Sequence, residues 1–127
     1  MNLELLPQKF SVCQIENISA TPMRLEFCFI GKTDQELSLV CPTEDVPVGT
    51  IAREDGWRGL RIAGTLEFSL VGILSKLSGI LAEAQVGIFA ISTYDTDYIL
   101  LKEAQLDQGL SALSGHGYVI EALPYRG

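Results

Sequence analysis

The sequence has few of the residue types that build reactive or metal-binding sites. Its 127 residues contain one histidine, His116, and three cysteines, Cys13, Cys28 and Cys41, with no CxxC spacing. Zinc frameworks and thiol redox motifs depend on such spacing, so the sequence favours neither. The cysteines stand in apolar, strand-like runs, where free thiols behave as small hydrophobic side chains. His116 lies between two glycines at a predicted helix end, which indicates a helix-end residue and not a catalytic base or a metal ligand.

Motifs of nucleophilic and phosphate-binding enzymes are also missing. The chain has no G-x-S-x-G, no P-loop and no G-x-G-x-x-G motif, and no nucleophile–base pair stands out. Asp95 and Asp97 lack the further carboxylates that a magnesium site would need nearby. The sequence therefore predicts a protein that is not an enzyme, with no catalytic residue, no metal and no cofactor.

Basic residues and long apolar runs are scarce as well. Lysine and arginine total 9 against 16 aspartates and glutamates, so the net charge is −7. Nucleic acid and anionic membrane surfaces repel such a protein, and neither is an expected partner. No apolar run approaches the roughly 18 residues of a membrane span. The N-terminal segment has no basic region before a long apolar stretch, so we expect no signal peptide and a cytoplasmic location.

The clearest feature that is present is an amphipathic helix, predicted over residues 70–84. Its apolar residues recur at the spacing of a helix with one buried face; they are Leu70, Val71, Ile73, Leu74, Leu77, Ile80, Leu81 and Ala84. Ser69 precedes them in the N-cap position, and Gly87 is a stop signal after them. The predicted first turn contains no acid, so its N–H groups could hold a small anion such as a carboxylate. The alternative is a helix start that faces water and binds nothing.

Strand patterns surround this helix in a composition, 47% hydrophobic and 20% charged, that is typical of a globular protein. The predicted strands cover residues 10–15, 24–31, 36–41, 57–63, 88–94, 98–102 and 118–123, and a short helix covers residues 106–113. Residues 1–8 are expected to form a lead-in and residues 42–56 a loop. Residues 57–123 thus have the order β-α-β-β-α-β, the ferredoxin-like α+β fold with a four-stranded antiparallel sheet and two helices on one face. We divide the chain into a smaller, helix-poor N-terminal half, residues 1–56, and a C-terminal domain, residues 57–127.

Two long motifs resemble a known family. FSLVGIL at residues 68–74 and ISTYDTDY at residues 91–98, supported by ELSLVCPTEDVP at residues 36–47, resemble a bacterial family of small tandem ACT-domain proteins. That family is similar to the regulatory domains of aspartate kinase and to the ACT repeats of the cytosolic arginine sensors that act upstream of the TOR kinase. The resemblance implies an ACT fold in both halves, allosteric regulation without catalysis, and amino acids held at an interface.

The resemblance also implies a ligand site, formed by the helix start after the first strand and the corner after the second. On this chain the site comprises Ser69, Leu70, Val71, Gly72, Ile73, Thr93, Tyr94 and Asp97. Backbone N–H groups of residues 70–72 and the Ser69 hydroxyl would hold a carboxylate, and Asp97 would pair with an ammonium group. Thr93 would add a hydroxyl or a carbonyl, and Tyr94 an aromatic wall. On local sequence alone, Asp95 and Asp97 are better explained as ordinary turn residues, and Asp95 is still expected to be one when the resemblance is considered.

Three functions follow as hypotheses. The leading one is a regulatory module that binds a small amino acid and forms a homodimer through ACT sheet edges or helices. The second is an ACT-type protein interaction module without a small ligand. The third is an enzyme, for which the sequence offers no reactive constellation.

Overall fold

The computed structural model describes residues 2–17, 19, 21–63 and 72–125, and the chain forms two compact units. The N-terminal unit is Gln8–Trp57, and the C-terminal unit combines Met1–Pro7 with Arg58–Gly127. Two long strands, β1 (Asn2–Gln14) and β4 (Ala52–Ile62), contribute one stretch to each unit.

The N-terminal unit is a small antiparallel sheet in the order β2-β3-β1-β4. Strand β2 is Phe29–Lys32 and strand β3 is Leu37–Pro42, and a single 3-10 turn, Thr43–Asp45, follows. Strand β2 is shorter than the predicted strand over residues 24–31, because the Leu25 N–H donates to the Pro22 carbonyl at 3.2 Å and closes a turn there.

Strand β4 begins at Ala52, within the stretch that was predicted to be a loop up to residue 56. Its first residues are charged, so they lack the alternating apolar pattern that identifies a half-buried strand. Other contacts hold them: the buried Ser11 hydroxyl donates to Asp55 Oδ1 at 2.6 Å, and Arg53 pairs with the same carboxylate at 3.0 Å. The strand is therefore stabilised by a polar cluster.

The C-terminal unit contains both α-helices of the described residues and confirms the predicted mixture of an antiparallel sheet with two helices. After β4 come α1 (Ile73–Glu83), β5 (Ile88–Ser92), β6 (Asp97–Lys102), a 3-10 turn (Glu103–Gln105), α2 (Leu106–Gly115) and β7 (Val119–Ala122). Both helices pack on one face of the sheet. The shared core includes Leu60, Ile62, Ile99 and Leu101 from strands and Leu77, Ile80, Leu81 and Leu113 from helices.

The sheet of the C-terminal unit differs from the predicted four strands, because its order is β7-β1-β4-β6-β5. The start of β1 lies between β4 and β7 and pairs with β7 in parallel, with Asn2 opposite Val119. Residues 1–8 were predicted to be a lead-in, but Leu3 and Leu5 pack in the helix-side core, and the neighbouring Leu6 is also buried. This stretch is therefore an integral strand.

Helix α1 begins at Ile73 in the described part of the chain. Its N-cap is Gly72, which has a left-handed φ of 84° and no side-chain cap. The predicted helix start at Leu70 and its predicted cap Ser69 lie outside the described residues, as does Val71.

The end of α1 also differs from the prediction, because the left-handed residue there is Gln85 (φ 61°) and not Gly87. The Val86 N–H donates to the Leu81 carbonyl at 2.9 Å, which is the reversal typical of a Schellman motif. Two glutamines of the α2 region support it: Gln105 donates to the Gln85 carbonyl at 3.1 Å, and Gln108 donates to the Ala84 carbonyl.

The hairpins β2–β3 and β5–β6 have the same layout, and corresponding positions lie 60 residues apart in the chain. Strand β3 begins at Leu37 and β6 at Asp97, and the 3-10 turns after them begin at Thr43 and Glu103. In each corner the first threonine donates its backbone N–H at 2.9 Å, Thr33 to the Glu36 carbonyl and Thr93 to the Thr96 carbonyl.

Two helix glycines provide a matched test of the packing. A Cβ at Gly79 would meet nothing within 4 Å, whereas one at Gly109 would lie 2.8 Å from Leu101 Cδ1. Alanine at either position gains about 1 kcal/mol in helix propensity, but at Gly109 overpacking costs about 1–3 kcal/mol. We expect Gly79→Ala to raise the free energy of unfolding by about 1 kcal/mol and Gly109→Ala to lower it, as measured by urea denaturation. Equal gains from both substitutions would contradict the close approach of α2 to the sheet.

Candidate functional site

The corner between β5 and β6 is held by the backbone and hydroxyl of Thr93. Its N–H donates to the Thr96 carbonyl at 2.9 Å, and its hydroxyl donates to the same oxygen at 3.0 Å while accepting from the Thr96 N–H at 3.4 Å. The Thr93 hydroxyl therefore already holds the corner together through Thr96, and a ligand would compete with these hydrogen bonds for it. Tyr94 and Asp95 form the exposed tip of the corner.

Thr96 fixes this corner to the end of β4. Its hydroxyl is buried and donates to the Ile62 carbonyl at 3.0 Å, so the start of β6 lies beside the last residue of β4. The next residue, Ala63, donates its N–H to the Asn2 carbonyl at 3.0 Å. From this point residues 64–71, outside the described range, connect β4 to Gly72. The anchoring role of Thr96 was not predicted from the sequence, because a threonine that anchors a tight corner has no local feature that distinguishes it from an ordinary turn residue.

The start of α1 offers backbone donors without a competing acid. The first helical hydrogen bond joins the Lys76 N–H to the Gly72 carbonyl at 2.8 Å, so the N–H groups of residues 72–75 have no partner within the helix. Its first turn contains no acidic residue. The described helix-start donors are those of residues 72–75, which share Gly72 with the predicted residues 70–72. No atom of the described residues lies within 4 Å of the position that a Cβ of Gly72 would take.

Asp97 lies on the helix side of the sheet. Side chains alternate between the two faces of a strand, so Asp97 shares its face with Ile99 and Leu101, which belong to the core beneath the helices. The residue is partly buried, stands opposite Ser92 in the ladder, and takes part in neither the Arg53–Asp55 nor the Arg61–Glu4 ion pair. Its carboxylate therefore adds negative charge to the face that carries α1.

Arg61, one residue before the end of β4, lies on the opposite face of the sheet from Asp97. Arg61 alternates with Leu60 and Ile62, which pack in the core, and its Nε lies 2.9 Å from Glu4 Oε1. Its guanidinium carbon is 6.0 Å from the centre of the Tyr98 ring. Burial opposes the charge, but hydrogen bonds to Tyr98 and Glu4 outweigh it and raise the pKa of Arg61. Arg61 is thus engaged by these two residues.

The structure brings only part of the predicted site together. Thr93, Tyr94 and Asp97 share one corner, but the Tyr94 side chain is 82% exposed. Ile73 packs partly against the core, so its side chain acts in packing. Within the described part of the chain, no three His, Cys, Asp or Glu side chains are arranged to hold a metal ion. No helix among the described residues is long and apolar enough to cross a membrane.

The chain is similar to known proteins in sequence and in fold. A family model described as an ACT domain matches residues 52–115. No curated protein matches the chain. Among solved structures, a protein from Agobacterium tumefaciens is 24% identical, with a TM-score of 0.85 over 99% of this chain and 96% of its own.

Aspartate kinases provide further structural relatives. The ligand-free regulatory subunit of aspartate kinase from Thermus thermophilus is 10% identical, with a TM-score of 0.64 over 89% of this chain and 95% of its own. Aspartate kinase from Clostridium acetobutylicum is 14% identical, with a TM-score of 0.66 over 85% of this chain and 32% of its own. At these identities the likeness shows the fold alone.

The Thr96 hydrogen bond can be tested with a conservative pair of substitutions. Thr96→Val keeps the shape but leaves the Ile62 carbonyl without its partner, and a buried group left unsatisfied costs about 1–3 kcal/mol. We expect a loss of that size in the free energy of unfolding, measured by urea denaturation. Thr96→Ser keeps the hydroxyl and should retain most of the stability. A valine variant as stable as the serine variant would contradict the anchoring role.

Proposed function

Because this chain belongs to the ACT domain family, as the sequence resemblance predicted, we propose that it is a non-catalytic regulatory protein that binds a small amino acid. The proposed site lies between the start of α1 and the β5–β6 corner. The observation that carries the proposal is the Thr96–Ile62 hydrogen bond, since it attaches the corner to the end of β4, from which the chain proceeds to the helix start.

The two parts of the site have complementary chemistry for a zwitterion. The N–H groups of residues 72–75 lie at the positive end of the helix dipole, which favours a carboxylate. Asp97 projects from the same face of the sheet and would accept the ammonium group, in a charge-assisted bond worth about 1.5–3 kcal/mol. The carbonyl groups of the corner would accept further N–H bonds. Ser69, Leu70 and Val71 stay in the proposal as the residues that lead into the helix start.

The N-terminal unit is proposed to be a reduced copy of the ACT unit. The support is the 60-residue repeat of hairpin and 3-10 turn, together with the ferredoxin-like order of the elements after β4. In this view residues 1–56 and 57–127 derive from a duplication, and the first copy keeps its hairpin while no α-helix is present among its described residues. A cytoplasmic location is part of the same proposal.

A second candidate function is an ACT-type interaction module without a small ligand. Among the described strands, β5 pairs with β6 alone, so its other edge presents backbone groups that a second strand could join. Tyr94, at the tip of the adjoining corner, is largely exposed. Both observations also suit homodimer formation through sheet edges, which we include in the leading proposal.

Thermal shift with each of the twenty amino acids, at millimolar concentration, tests the leading proposal. A ligand at a hundred times its Kd stabilises the native state by about 2.7 kcal/mol, which raises the Tm of a domain of this size by roughly 8 °C. Asp97→Asn should abolish the rise because it removes the partner of the ammonium group. Asp95→Asn, at the exposed tip, is the matched control and should leave the rise intact.

Two outcomes would count against amino acid binding at this site. One is a panel in which no amino acid changes the Tm of the intact protein. The other is a shift that persists in Asp97→Asn. If in addition the protein is dimeric without ligand and Tyr94→Ala makes it monomeric, the interaction module becomes the better account.

A further inference from the structure

The three cysteines of the chain gather in the N-terminal unit. Cys13 and Cys41 are buried, Cys28 is partly buried, and all three are free thiols. They pack in one apolar cluster with Ile15 and Leu39. The sequence spacing gave no hint of this, since the three residues come from separate strands or their flanks.

Cys28 immediately precedes β2, near the end of β3 that carries Cys41. Strands β2 and β3 are antiparallel with Phe29 opposite Val40, and continuing this register by one residue brings Cys28 opposite Cys41. The Phe27 ring, one residue further, makes an edge-on contact with Phe10 at 5.9 Å between centroids. Because Phe10 is opposite Pro42 in the β1–β3 pairing, this ring contact indicates that residue 27 still lies near the end of β3.

The backbone spacing at this position suits a disulfide. The Thr33 N–H donates to the Glu36 carbonyl, and hydrogen-bonded and non-hydrogen-bonded pairs alternate from there. The extended register therefore assigns Cys28 and Cys41 to a non-hydrogen-bonded position. Such pairs have Cα atoms about 4.5 Å apart, within the roughly 4.4–6.8 Å that a disulfide spans. Cys13 is opposite Leu39, and therefore only diagonal to Cys41, at about 7–8 Å.

We propose that Cys28 and Cys41 form a reversible cross-strand disulfide when the protein meets a hydroperoxide. The Cys28 thiolate attacks the peroxide O–O bond, which gives a sulfenic acid and releases hydroxide or alkoxide. The Cys41 sulfur then attacks the sulfenic sulfur, forms the S–S bond and expels hydroxide, which takes up a proton as water. In total, the two thiols lose two electrons and form the disulfide. The peroxide is reduced to two molecules, of which one is water and the other is water for hydrogen peroxide or an alcohol for an organic hydroperoxide. A dithiol reverses the change by exchange.

The surroundings of the thiols set the speed of this reaction. Burial raises the pKa of Cys28 and, helped by the neighbouring thiols, raises that of Cys41 to about 12. Thiolates are the reactive forms, so disulfide formation is slow at neutral pH and accelerates as the pH rises toward these pKa values. Cys28, the more exposed of the two, is the residue that the oxidant reaches first. The Cys28–Cys41 disulfide therefore forms under sustained oxidation.

The cross-link would tie the segment before β2 to the end of β3 and close residues 28–41 into a ring. Residue 43, immediately after β3, contacts the buried Ser11 hydroxyl through the Thr43 hydroxyl at 2.9 Å. Oxidation thus fixes both ends of the hairpin of the N-terminal unit, and its effect is a gain in stability of that unit.

The experiment uses the full, reduced chain treated with millimolar hydrogen peroxide and then alkylated with N-ethylmaleimide. Intact mass should show the loss of two hydrogens and a single alkylated thiol, and non-reducing peptide mapping should identify Cys28 joined to Cys41. The Tm should rise by about 5–10 °C and return after dithiothreitol. The rate should increase with pH between 7 and about 9.

Single substitutions distinguish this pair from the others. Cys28→Ala should abolish the cross-link, whereas Cys13→Ala, the matched control in the same cluster, should retain it. Three alkylated thiols after treatment, a Cys13–Cys41 bond, an intermolecular bond through Cys28, or conversion of Cys28 to a sulfinic acid would each overturn the proposal.

Discussion

The hydrogen bond from the buried Thr96 hydroxyl to the Ile62 carbonyl is the constraint on which the rest of the C-terminal unit depends. It joins the corner of one hairpin to the end of β4, and α1 begins a short stretch of chain later. Strand alternation then puts Asp97 on the face that carries the helices, while Arg61 is engaged by Glu4 and Tyr98 on the other face. The hydrogen bond thus fixes the corner against β4, and strand alternation places Asp97 and Arg61 on opposite faces of the sheet.

The helix ends show how residues distant in sequence complete a local structure. Gln85 takes a left-handed conformation that costs a non-glycine residue about 1–2 kcal/mol. The Schellman hydrogen bonds of α1 and the side chains of Gln105 and Gln108 satisfy the carbonyl groups around it. Because these donors come from the α2 region, the end of one helix is built partly by the start of the next. The N-terminal unit, by contrast, is stabilised by polar contacts around Ser11 and by a small core that contains cysteines.

The sequence predicted those features that depend on local pattern. Leu77, Ile80 and Leu81 are buried as the helical periodicity required, and both hairpin corners lie where turn residues interrupt alternating strands. Features set by distant partners could not be predicted in this way. The pairing of residues 2–5 with β7 is a choice among strands that the segment MNLELL does not encode locally. Likewise the left-handed conformation of Gly72, the N-cap of the described helix α1, is not encoded by the helical periodicity that follows it.

Backbone NMR tests whether the helix start and the β5–β6 corner form one amino acid site. Each amino acid is titrated into isotopically labelled protein while the amide resonances are followed. We expect one amino acid to shift the amides of residues 72–75 and 93–97 together, with a single apparent Kd. Shifts confined to one of these segments, or found only elsewhere in the chain, would contradict it.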